Sequence, residues 1–88
     1  MRRIEFTVVD PLGLHARPAG LLVKVAQGFA SEASIHVART DKSASLGRLL
    51  AVMGLGVKGG DRITVTVEGA DEDAAAEAIE AWLKEHLG

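Results

Sequence analysis

His15 and Arg17 stand two residues apart in the stretch Gly13-Leu14-His15-Ala16-Arg17-Pro18. Upstream of them the chain alternates like a strand, and downstream it takes a helical spacing. An imidazole is a nucleophile. The start of a helix gathers N–H groups without partners together with partial positive charge, so anions bind there readily. A phosphoryl group attached to His15 would lie among those N–H groups, that of Ala16 included. Arg17 would pair with the phosphate oxygens. The residues alone therefore make His15 a candidate phosphorylation site. There is a plainer reading, in which His15 is a polar surface residue, Arg17 a solvated charge and Pro18 only a helix-start signal. The rest of the chain has to decide between them.

Other chemistries find little support. The chain has no cysteine, and His15, His36 and His86 have no metal-ligand spacing, so neither a metal nor another cofactor is expected. A hydrolase would need a base and an orienting group near His15, and the sequence offers neither. The net charge is −2, with two phenylalanines and one tryptophan, so the basic footprint and stacking aromatics of nucleic-acid binders are missing. No apolar run reaches membrane-spanning length. Met1 to Phe6 lacks the apolar core of a signal peptide. A soluble cytoplasmic monomer is the expectation. Eighty-eight residues make one domain, 1–88, and a chain of this size buries only about 60–65% of its unfolded surface.

The elements that must position His15 can be read from periodicity. Over residues 2–9, Ile4, Phe6 and Val8 alternate with Glu5 and Thr7, as in a strand with one buried face. Asp10, Pro11 and Gly13 break the run. A helix follows from about Ala16 to Gly28, with Ala19, Leu22, Val23 and Ala26 as its core stripe, continuing to Phe29. Arg17, Gly20, Lys24 and Gln27 fall on another side. Proline fits a helix only in the first turn, and the residue before a proline resists helical angles, so the start could slip to Pro18. His15 sits at the mouth either way.

Ser31 to Ala38 alternates again, with Ala33, Ile35 and Val37 inward and His36 outward as a solvated residue. Arg39-Thr40-Asp41 is a turn, and Lys42 to Leu46 reads as a short return strand. Gly47 to Leu55 is a short helix, apolar on two sides. Ala51, Val52 and Leu55 make one face, and Leu49, Leu50 and Met53 make a second. A chain this small has little material to cover both, so the second face is expected to be an exposed docking patch. A glycine-rich turn leads into a strand over 62–68, with Ile63, Val65 and Val67 inward. The last helix starts near Asp71, expected as its N-cap. Ala75, Ala78, Ile79, Trp82 and Leu83 supply its buried face. The order β-α-β-β-α-β-α implies an α+β open-faced sandwich, a four-stranded mainly antiparallel sheet with three helices on one face.

With that order in place, the chain resembles HPr, the histidine-containing phosphocarrier of the bacterial sugar phosphotransferase system. The likeness is strongest over Gly13 to Ala19 and over Lys42-Ser43-Ala44-Ser45, followed by Leu55-Gly56. It implies that Enzyme I passes a phosphoryl group from phosphoenolpyruvate to Nδ1 of His15. A sugar-specific IIA protein or domain then receives it, with Arg17 assisting. It also implies a shared docking surface made of the first helix's outward side (Gly20, Lys24, Gln27) and the second helix's Leu49, Leu50 and Met53. The protein would be a carrier, not an enzyme with turnover of its own.

One departure stands out. Many HPr-like proteins carry a regulatory serine at the start of the second helix, phosphorylated by an ATP-dependent kinase. Aligning on Lys42-Ser43-Ala44-Ser45 and Leu55-Gly56 puts Arg48 there, so no regulatory serine is expected. Two extra residues also lie between Phe29 and Lys42. The rival functional reading is a regulatory HPr-like module that acts through protein contacts outside sugar transport. An unrelated effector-binding domain is weaker still. So is an RNA-binding domain of KH type, whose glycine–two residues–glycine loop Gly56 to Gly59 only loosely matches.

Overall fold

Alternation in the first stretch produces β1 (Arg2–Thr7), whose pleat turns Ile4 inward. The computed structural model describes residues 1–88. After β1 come α1 (Ala16–Gln27), β2 (Glu32–Val37), β3 (Lys42–Ser45), α2 (Leu49–Met53), β4 (Arg62–Glu68) and α3 (Glu72–His86). The expected order is the observed order.

The sheet runs β1-β4-β2-β3, and every neighbouring pair is antiparallel. The last strand in sequence thus lies between the first two. Ile63 of β4 pairs with Phe6 on one side and Val37 on the other, and Val65 pairs with Ile4 and Ile35. These rows line the face under the helices. Ile63, Val65, Val67, Ile35 and Val37 are fully buried there, each worth about 1.5–3 kcal/mol relative to exposure. Thr64 and Thr66 point to the other face and are only half-buried.

The helices close that core from one side. Ala19, Leu22, Val23 and Ala26 of α1 meet Ala75, Ala76, Ile79, Trp82 and Leu83 of α3 over the sheet in one apolar cluster. Within α3 the alanine pattern departs from expectation. Ala76 is buried while Ala78 is only half-buried, so the buried stripe of α3 runs through Ala75, Ala76, Ile79, Trp82 and Leu83.

The first helix starts at Ala16 as the spacing predicts and does not slip to Pro18, while two other local expectations need correction. His15 is its N-cap in extended geometry, and Pro18 sits in the first turn, where its missing N–H has no intrahelical role. The second helix is shorter than Gly47–Leu55, because Arg48 is extended and Gly54 ends it. In so short a helix only Val52 turns inward, so Ala51 is exposed where a buried face was expected. Leu46 and Leu55, just outside the helix, complete its inner side. Asp71 holds the N-cap position of α3 as expected, but its side chain makes no capping bond there. Its carboxylate instead accepts the N–H groups of Ala30 and Ser31 and the Ser31 hydroxyl. It thereby ties the α1–β2 connection to the start of α3. Those donors, the Ser31 hydroxyl first, hold its carboxyl below the ordinary carboxylate range.

Candidate functional site

The backbone that delivers His15 is fixed from beneath. Gly13 has φ +65°, and a Cβ there would lie 2.2 Å from the Val57 carbonyl oxygen. Only glycine permits this close passage of two backbones. The next residue, Leu14, is buried and donates its N–H to that same oxygen at 3.1 Å. The chain then emerges at His15. The His15 carbonyl accepts the Ala19 N–H and opens α1.

The His15 side chain makes no cap hydrogen bond, and its residue is exposed. No hydrogen bond or ion pair of the protein engages its ring. The N–H groups of Ala16 and Arg17 belong to the first turn and donate to no protein acceptor. Pro18, next in line, has none to give. Arg17 is exposed and forms no ion pair with an acidic side chain. A nucleophilic ring, two free N–H donors and an unpaired guanidinium thus share the N-terminal end of α1. No acidic residue lies in its first turn to oppose an incoming anion. An anionic group attached there would meet donors and positive charge, with no carboxylate among them.

The other two histidines lie in different settings. His36 Nε2 lies 2.8 Å from Asp41 Oδ1 across the β2–β3 turn, so this residue is bonded and half-buried, not merely solvated as expected. Asp41 sits there with φ 54°. The His86 ring stacks on Trp82 with centroids 4.6 Å apart.

Beyond His15 the outward residues of α1 and α2 form one stretch of surface. Lys24 and Gln27 are exposed and Gly20 is half-buried. Leu50 is 83% exposed, and Leu49 and Met53 are 39% exposed each. Gln27 also has an internal contact, since its amide donates to the Gly47 carbonyl at 3.0 Å. That bond pins the end of α1 to the entry of α2. Arg48, next to it, is exposed and forms no ion pair. The fold's concave region lies past this point, among Gln27, Phe29, Ser34, Ser45, Arg48 and Thr66, and does not include His15. His15 is exposed and lies outside that concavity.

Sequence reasoning missed two features. Leu21 of α1 and Leu12, just before Gly13, are apolar and exposed. Leu21 lies outside the Ala19–Leu22–Val23–Ala26 stripe, and that offset was the available signal. The second is an ion pair below the site: Arg39 contacts Asp61 through two bonds of 2.8 and 3.1 Å. No periodicity connects two charges that lie in separate turns.

Residues 2–85 match the family described as PTS HPr component phosphorylation site. The chain is 51% identical over 85 residues to the phosphocarrier protein HPr of Lysinibacillus sphaericus, covering 97% of this chain and 94% of that protein. Among solved structures, a histidine-containing phosphocarrier protein of Mycoplasma superposes with a TM-score of 0.90 at 33% identity, covering 96% of this chain and 93% of that one. An HPr dimer of Thermoanaerobacter tengcongensis superposes with a TM-score of 0.76 at 30% identity, covering 100% and 99%.

Proposed function

Because the chain belongs to the HPr family of the phosphotransferase system, we propose that it relays a phosphoryl group from Enzyme I to a IIA protein or domain through His15. Phosphoenolpyruvate is the original source. The observation that carries this reading is the His15 ring, exposed and unpaired at the start of α1, beside the free N–H groups of Ala16 and Arg17.

In the first transfer the phosphorus bond to the Enzyme I donor breaks, and a bond to His15 Nδ1 forms. The accepting nitrogen must present its lone pair, so the ring proton sits on Nε2. The Arg17 guanidinium and the Ala16 N–H bind phosphoryl oxygens. In the second transfer the same N–P bond breaks, and the group leaves for the IIA acceptor. The chain ends as it began, which makes it a carrier.

Exposure serves this cycle. Two different partners must reach one nitrogen in turn, so the nitrogen belongs on exposed surface, and each complex is transient and modest in area. Gly20, Lys24, Gln27, Leu49, Leu50 and Met53 frame the docking surface. Its apolar centre and basic edge (Arg17, Lys24, Arg48) suit partners with an apolar patch and an acidic rim. The working unit is a single 1–88 domain, monomeric, since a second copy on this face would block both transfers.

The test is to incubate the protein with Enzyme I and phosphoenolpyruvate and measure its intact mass. The gain of one phosphoryl group, lost on mild acid treatment, supports the relay. No gain, or an acid-stable gain, contradicts it.

A further inference from the structure

The floor beneath His15 is held by a pair of charges that touches neither the histidine nor a docking residue. Arg39 lies in the β2–β3 turn, and Asp61 lies just before β4. Arg39 Nε donates to Asp61 Oδ1 at 2.8 Å, and Nη2 donates to Oδ2 at 3.1 Å. Nη2 also reaches the Gly56 carbonyl at 3.0 Å. Asp61 Oδ2 accepts the Lys58 N–H at 2.9 Å, and the Asp61 N–H returns to the Lys58 carbonyl at 3.0 Å. Residues on both sides of Val57 are therefore clamped by the same pair. Val57 is 4% exposed, and its carbonyl is the one that receives the Leu14 N–H and lies against Gly13.

A surface ion pair would ordinarily be worth little. This one differs, because the Asp61 residue is only 6% exposed and all its contacts are directional. The planar fork of arginine matches a carboxylate through two bonds at once, which lysine cannot reproduce. The contacts hold the peptide groups on either side of Val57, and the Val57 carbonyl receives the N–H of Leu14, the residue before His15.

We propose that Arg39 and Asp61 are positioning residues for phosphoryl transfer at His15, acting through the Gly56–Lys58 backbone and the Val57 carbonyl on Leu14. The inference rests on His15 being the acceptor. Transfer requires the accepting nitrogen in line with the donor phosphorus, and the new phosphate must meet the Ala16 and Arg17 N–H groups. Both conditions fix the direction in which α1 begins. That direction is set at Gly13 and Leu14, and the Arg39–Asp61 clamp keeps their support from sliding.

The experiment compares wild type with Arg39→Met under two readouts, well below the melting midpoint. One is steady-state transfer from Enzyme I, with the maximal rate and the KM for the carrier measured separately. The other is the NMR spectrum of the His15 ring nitrogens and the Leu14 amide. The maximal rate should fall by about tenfold, as for a small misplacement of a reacting group. KM should stay within about twofold, because the docking surface is untouched. The His15 ring and Leu14 amide signals should move. A purely structural role would lower the melting midpoint and leave both readouts unchanged in the folded protein, and that result would overturn the proposal. If Arg39→Met does not fold, Arg39→Lys keeps the charge without the fork and should show a smaller loss of the same kind. Failure of wild type itself to accept phosphate would defeat the relay instead, and the NMR signals would still decide the positioning.

Discussion

Replacing Gly13 by alanine perturbs the contact on which the site rests, and its cost can be worked from geometry. The residue has φ +65°, where a non-glycine residue costs roughly 1–2 kcal/mol. The new Cβ would lie 2.2 Å from Val57 O, 2.7 Å from Lys58 Cα and 2.9 Å from Val57 C. All three are backbone atoms, so no side chain can swing aside, and the two loops must part. Parting them breaks the Leu14 N–H bond to Val57 O. Leu14 is 3% exposed, and leaving a buried donor unsatisfied costs about 1–3 kcal/mol. The sum is about 2–5 kcal/mol. At about 4–8 °C per kcal/mol for a domain of this size, the melting midpoint should drop by about 10 °C or more. Gly20→Ala is the control. Its Cβ meets nothing within 4 Å, and alanine inside a helix gains about 0.5–1 kcal/mol over glycine. Thermal unfolding by circular dichroism reads both. A Gly13→Ala midpoint within about 2 °C of wild type, less than 1 kcal/mol by the same conversion, would refute the reasoning.

Three further outcomes are expected. Met53→Glu and Leu50→Glu should each weaken transfer from Enzyme I while changing stability by no more than about 0.5 kcal/mol, since both side chains are exposed. A large loss of stability would place them in the core instead. Asp71→Asn should flatten the acid limb of the stability curve. The wild-type carboxyl is held below its ordinary value by Ser31 and Ala30, so its contribution is complete above the unfolded pKa of about 3.9 and lost as pH falls through the lower folded value. Equal pH slopes for the two proteins would contradict this. Arg48 cannot accept phosphate, so ATP and a bifunctional HPr kinase should leave wild type unmodified and should modify Arg48→Ser. Stoichiometric phosphate on Ser43 or Ser45 of wild type would defeat that expectation.

Strand positions were legible because a half-buried strand records its two faces every second residue. Ile63, Val65 and Val67 therefore located β4 with its boundaries. The α1 stripe was legible for the same kind of reason. His15 was legible because its neighbours mark a helix mouth. Contacts that join distant turns leave no such record. Asp71 carried the local signature of an N-cap, yet its carboxylate turned to Ala30 and Ser31 some forty residues away. Ala51 looked buried by its spacing, but a helix of five residues turns only Val52 inward. The Arg39–Asp61 pair joins two loops that only the folded sheet brings together.

Site mapping of the phosphoryl group tests the central claim most directly. Wild type, His15→Ala, His36→Ala and His86→Ala are each incubated with Enzyme I and phosphoenolpyruvate, and intact mass is recorded before and after mild acid. His36 is bonded to Asp41 and His86 is stacked on Trp82 near the end of α3, whereas His15 stands at a helix start beside the free N–H groups of Ala16 and Arg17. Acid-labile phosphate should appear on wild type, His36→Ala and His86→Ala and be absent from His15→Ala. Normal phosphorylation of His15→Ala would contradict the account.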